Sequence, residues 1–87
     1  MDEIISLREE IDRIDSEIQT MLDKRFMLTD KIGGIKEKYG IPVSDGNREN
    51  EILSAVSERF PADAGEIREI YSLIFSLSKD RQARNNG

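Results

Sequence analysis

The 87-residue sequence contains neither cysteine nor histidine. Those two absences exclude disulfide staples, thiolate chemistry, imidazole bases and the usual zinc sites together. Any chemistry must use other groups. No apolar run approaches the ~20 residues that cross a bilayer, and the opening MDEIIS lacks the basic flank and apolar stretch of a secretion signal, so a cytoplasmic location is expected. Positive charge is also in deficit. With 13 Lys and Arg against 18 Asp and Glu, the formal net charge is −5, which argues against a general nucleic-acid or anionic-membrane surface. No strand-like alternation, internal repeat or low-complexity block occurs, so the expected fold is all-α, in a single domain over residues 1–87.

An apolar stripe runs Ile4, Leu7, Ile11, Ile14, Ile18, Met21, Leu28, Ile32, Ile35, Tyr39, in steps of three and four interrupted only at Arg25, in the stretch MLDKRFML. Acidic residues open this segment and Gly40, Ile41 and Pro42 close it, which predicts a first helix over about 2–39. Such a helix is roughly 55 Å long, against a diameter of about 30 Å for a compact domain of this size. Its own chain cannot cover it, so a partner chain is expected. Gly33 and Gly34 cost about 1 kcal/mol each within a helix, yet Ile35 and Tyr39 keep the phase of the stripe. One continuous helix is the reading, with the glycines permitting a bend or a close backbone approach. Ser44 or Asp45 then caps a second helix, about 45–60, carrying Ile52, Leu53 and Val56 and stopped at Pro61. Asp63 and Glu66 read as a capping box for a third, about 63–83, with an apolar face of Ile67, Ile70, Tyr71, Ile74, Phe75 and Leu77. The tail from Arg81 is expected to fray.

Arg25 stands in the apolar seam, and Lys36 follows eleven residues later, close to three turns and nearly on the same face. Taken singly, the arginine could fix a helical register and the lysine could snorkel to solvent. On the third helix the apolar face runs on into Ser78 and Gln82, spaced i, i+4. Alone that pair reads as a polar helix end. Together the four residues suggest a cavity with cations on one wall and hydroxyl or amide donors on the other. Arg48 and Glu49, at the start of the second helix, could form its rim or simply pair with each other in solvent. A buried unpaired cation costs several kcal/mol and no seam carboxylate is placed to meet Arg25, so the pattern asks for a small anion, a dicarboxylate or a phosphate.

The segments LREEIDRID, DKR followed by Ile35-Lys36, IPVSDGNRENEIL and the late Ser78 and Gln82, in that order, resemble the all-helical class of chorismate mutases over essentially the whole chain. The resemblance implies a domain-swapped, intertwined helical-bundle homodimer and the rearrangement of chorismate to prephenate, on the route to phenylalanine and tyrosine. It implies no cofactor and no metal. It assigns carboxylate binding to Arg8 and Arg25, with Lys36 reaching both a carboxylate and the ether oxygen. Asp45, Arg48 and Glu49 fall around the ring hydroxyl, which the glutamate receives. Ser78 becomes a carboxylate contact and Gln82 the second donor to the ether oxygen. The departures are the Gly33-Gly34 pair and Lys79, where the family often has an apolar residue. Arg8 lies 17 residues before Arg25, about 25 Å along the same rod, so if it serves a site it serves the partner's. Pairing with Asp12 is its simpler role. An isochorismate pyruvate-lyase on the same scaffold, and a helical dimerisation module without chemistry, are the competing readings.

Overall fold

The computed structural model describes residues 1–85 and contains three helices, α1 (Asp2–Tyr39), α2 (Gly46–Arg59) and α3 (Ala64–Asn85). Among the described residues there is no strand. α1 is a single 38-residue rod through Gly33 and Gly34, with Asp2 and Glu3 in its first turn and Lys36 and Lys38 in its last, each sign matched to the helix dipole. It ends where Gly40 enters the left-handed region at φ 65°. There Ile41 N–H donates to the Lys36 carbonyl at 2.8 Å and Gly40 N–H to that of Glu37 at 3.3 Å, the bond pattern that stops a helix at a glycine.

Asp45 caps α2, its carboxylate accepting from Arg48 N–H at 3.1 Å. The start of α3 departs from expectation. Among the described residues neither Asp63 nor Glu66 makes a side-chain capping bond; the turn after Pro61 instead joins Asp63 N–H to the Phe60 carbonyl at 3.1 Å. The end departs too. α3 does not fray at Arg81 but runs on to Asn85; Asn86 and Gly87 lie outside the described residues. What holds it is a two-point ion pair, Arg81 Nε to Asp30 Oδ1 at 3.1 Å and Nη2 to Oδ2 at 2.7 Å, with the guanidinium 4.6 Å from the Phe26 ring centre. The hydrogen bond to Asp30 holds the Arg81 pKa above its ordinary value.

α3 packs against both other helices, while no α1–α2 Cα pair among the described residues comes within 8 Å. The face of α1 that meets α3 is not the apolar stripe. It is the row Leu22, Arg25, Phe26, Thr29, Asp30, Gly33 and Lys36, all buried or half-buried, of which Gly33 is the buried member. A side chain at Gly33 would have its Cβ 3.2 Å from the Gln82 Cα, so the glycine lets two backbones approach closely. On α3, Tyr71, Ile74 and Phe75 turn inward while Ile70 and Leu77 remain exposed, a correction to the predicted apolar face.

Buried apolar surface is scarce. Among the described residues only Val56 and Phe75 are buried hydrophobic side chains. Ile4, Leu7, Ile11, Ile14, Ile18 and Met21 are each 46–58 % exposed along the first half of α1. The rod sets a long axis of 56 Å and a radius of gyration of 16.4 Å, where a compact chain of this length has about 12 Å. An apolar row of that length in water is far more than an isolated chain normally carries. No helix among the described residues is long and apolar enough to cross a membrane.

Candidate active site

A cleft of about 310 Å³ opens between the second half of α1, the start of α2 and the end of α3. That volume is near the lower end of the range for small-molecule sites, about 300–1,000 Å³. Of the eight residues singled out in the sequence, seven line it: Arg25, Lys36, Asp45, Arg48, Glu49, Ser78 and Gln82. Arg8 does not. It lies on the exposed first half of α1, and no ion pair joins it to Asp12 among the described residues.

The α1 wall carries Arg25 and Lys36. Arg25 donates from Nη1 to Ser78 Oγ at 3.2 Å, and its guanidinium carbon lies 5.9 and 5.7 Å from the ring centres of Tyr71 and Phe75. The rings themselves stack at a tilt, 5.6 Å apart, so the cation rests against a fixed aromatic pair. This explains how a half-buried arginine with no carboxylate partner among the described residues is tolerated. Its side is screened by rings, one hydrogen bond goes to a hydroxyl, and the residue lines the cleft.

Lys36 is held from two directions. Its backbone carbonyl takes part in the stop of α1, and its ammonium donates to the Val43 carbonyl at 2.9 Å. The tight turn at Gly40 therefore folds the connection back over the lysine and aims it into the cleft. Sequence reasoning missed Val43, because a backbone acceptor leaves no trace in side-chain type.

The opposite wall is α3. Ser78 and Gln82 are 4 and 6 % exposed, the two buried polar residues among those described. Phe75, Ser78 and Gln82 fall on one side of the helix, at steps of three and four.

Of the two roles open to Arg48 and Glu49, the structure shows the rim and not the mutual pair. Neighbours in a helix point apart, and each residue finds another partner: Arg48 the carboxylate of Glu51 at 3.2 Å, Glu49 the ammonium of Lys79 at 3.3 Å. The first pair is two-thirds exposed. The second lies on the cleft wall, since Lys79 is itself a lining residue. Asp45 divides its role between capping α2 and lining the cleft. Among the described residues no group of three or more metal-ligating side chains is gathered.

With formal charges, the lining carries Arg25, Lys36, Arg48 and Lys79 against Asp45 and Glu49, a net +2 in a chain of net −5. The arrangement can hold a small dianion between fixed cations and present two further donors to an uncharged acceptor.

Comparison with known proteins bears on the fold and the family. Residues 7–83 match the model of a family described as chorismate mutase type II. A bifunctional chorismate mutase/prephenate dehydratase from Aquifex aeolicus is 39 % identical over 89 residues, covering 91 % of this chain and 25 % of that protein. The chain thus spans about a quarter of that relative's length. Among solved structures, a chorismate mutase from Thermus thermophilus superposes with a TM-score of 0.88 at 33 % identity, covering 94 % of this chain and 96 % of that one. A conserved hypothetical protein from Pyrococcus furiosus gives 0.80 at 39 % identity, with 94 % and 97 % covered.

Proposed function

The chain belongs to the chorismate mutase type II family, and from that premise we propose that it converts chorismate to prephenate as a cytoplasmic, domain-swapped homodimer in aromatic amino-acid biosynthesis. One observation carries the reading: buried or half-buried cations and neutral donors, Arg25 and Lys36 facing Ser78 and Gln82, converge on one cleft sized for a small molecule.

The reaction breaks one C–O bond as one C–C bond forms within the same molecule. No proton moves and no enzyme nucleophile is needed, so a chain without histidine or cysteine lacks nothing for it. The protein has two tasks, to hold the substrate with its reacting carbons close and to stabilise negative charge developing on the ether oxygen. Arg25, steadied by Ser78 and the two rings, grips one carboxylate with its fork. An ether oxygen only accepts hydrogen bonds, so the Lys36 ammonium and the Gln82 amide are the matching donors. An ammonium has three N–H bonds. Lys36 can therefore keep its contact with Val43 while giving one bond to the ether oxygen and one to a carboxylate. Asp45, Arg48 and Glu49 surround the ring hydroxyl, with Glu49 accepting it.

The remaining carboxylate contact is Arg8 of the partner subunit. Two features support this assignment. Arg8 is some 25 Å from its own chain's Arg25 along the rod, and the apolar row that surrounds it is left uncovered by its own chain.

The test has two arms. Purified protein should consume chorismate and yield prephenate; loss no faster than the spontaneous rate, or pyruvate release from isochorismate in its place, would refute the activity. Arg8→Ala and Arg25→Ala homodimers, each inactive, are then unfolded together in equal amounts and refolded. In a swapped dimer half of the products are mixed and each has one intact site, which restores about a quarter of normal activity. If both arginines served the same chain's site, nothing would return.

A further inference from the structure

We propose that Lys79 is a positioning residue that holds Glu49 as the acceptor for the substrate's ring hydroxyl, an inference that rests on the functional reading above. Lys79 follows Ser78 on α3 and reaches across to α2, where its Nζ lies 3.3 Å from Glu49 Oε2. The two side chains are 38 and 28 % exposed, more enclosed than the Arg48–Glu51 pair at 66 and 67 %. With Arg48 turned outward to Glu51, the lysine is the cation that meets Glu49.

Two physical demands meet at this carboxylate. The first is orientation. A carboxylate has two acceptor oxygens, and engaging Oε2 from α3 leaves Oε1 to receive a hydroxyl in a defined direction. Without that engagement the side chain of Glu49, at the start of α2, turns among several rotamers. The second is charge. The incoming substrate is a dianion, and an anionic side chain in its site repels it unless a cation stands beside it. Removing Lys79 takes the formal charge of the lining from +2 to +1.

The lysine also joins two walls that α1 does not connect. α1 and α2 make no direct backbone approach, so the spacing of Glu49 from Arg25 and Lys36 is set by α3 together with the connection tied at Lys36 and Val43. At the far end of the same α2–α3 junction, Arg68 donates to Ser57 Oγ at 2.9 Å. The junction is thus tied at both ends, and one of the ties lies in the cleft.

The experiment compares chorismate with an analogue whose ring hydroxyl is replaced by hydrogen. Wild type, Lys79→Leu, Lys79→Arg, Glu49→Gln and the Lys79→Leu/Glu49→Gln double variant are assayed with both. For chorismate, Lys79→Leu should lower kcat/KM about threefold to fivefold, the scale of a partly exposed ion pair, chiefly through KM. Lys79→Arg should recover most of the loss. With the deoxy analogue the loss in Lys79→Leu should shrink to the part owed to charge alone, and in the Glu49→Gln background, where no anion is left to offset, it should vanish. Equal losses with both substrates would overturn the proposal, because the lysine would then act on the carboxylates or on the fold. Wild-type turnover of chorismate is the separate control. If it is absent, the reading of the site fails and the proposal with it; if it is present, the substrate dependence alone decides on Lys79.

Discussion

Adjacent glycines in α1 should respond to the same substitution with opposite signs. In a helix interior, Gly→Ala gains about 1 kcal/mol from backbone entropy. At Gly34 nothing of this chain lies within 4 Å of the added methyl, so that gain should appear in full. At Gly33 the methyl would stand 2.9, 3.1 and 3.2 Å from Cγ, Cβ and Cα of Gln82. The first atom can swing aside, but the third belongs to the backbone of α3. Restoring ordinary contact requires α3 to withdraw by a few tenths of an ångström, and overpacking of this kind costs about 1–3 kcal/mol. Gly33→Ala should therefore be neutral to about 2 kcal/mol less stable than wild type, and the two variants should differ in Tm by roughly 10 °C at one fixed protein concentration. Activity gives the sharper contrast. The displaced residue is the proposed donor to the ether oxygen, and a shift of a few tenths of an ångström should lower kcat several-fold, with KM nearly constant. Gly34→Ala should keep the wild-type kcat. Differential scanning fluorimetry and steady-state assays of both variants settle the matter. Equal Tm and equal kcat in the pair would refute the idea that Gly33 sets the distance between α1 and the wall bearing Gln82.

Lys36→Ala should lower kcat by about 10²-fold or more, on the scale of losing an oxyanion-hole donor, while circular dichroism remains helical; near-normal turnover would remove Lys36 from the mechanism. Because the amide of Gln82 does not titrate, wild-type turnover should be nearly flat from mildly acidic pH to about pH 8. In Gln82→Glu the donor exists only while the new carboxyl is protonated, so kcat should rise as pH falls through its pKa and collapse at neutral pH. A pH-independent Gln82→Glu variant would show that position 82 donates nothing to the reacting oxygen.

Much of this molecule is written locally and could be read directly. The three helices, the stop at Gly40 and the Asp45 cap follow from neighbours within a turn of each other. The grouping of Arg25, Lys36, Ser78 and Gln82 was legible because each is a polar residue out of place in an apolar phase. The contact face of α1 was not. Its row of Phe26, Thr29, Asp30 and Gly33 mixes an aromatic, a hydroxyl, a charge and a glycine, and such a row has no hydropathy signal. Ion-pair partners were hidden for another reason: Arg81 meets Asp30, 51 positions away, and Lys79 meets Glu49 on a different helix. A mutual Arg48–Glu49 pair could have been set aside from the sequence alone, since consecutive residues of a helix diverge by about 100°.

The clasp between Arg81 and Asp30 does for α3 what a dowel does for two boards. Apolar side chains alone would let one helix slide along another at little cost, because one greasy surface is much like the next. A planar fork seated on a planar carboxylate has a single setting. Slipping by one turn would move every side chain of α3 by about 5.4 Å, and Ser78 would pass out of reach of Arg25. Placed one residue from Gln82 and three from Ser78, the arginine indexes the helix at the end where a misalignment would matter most.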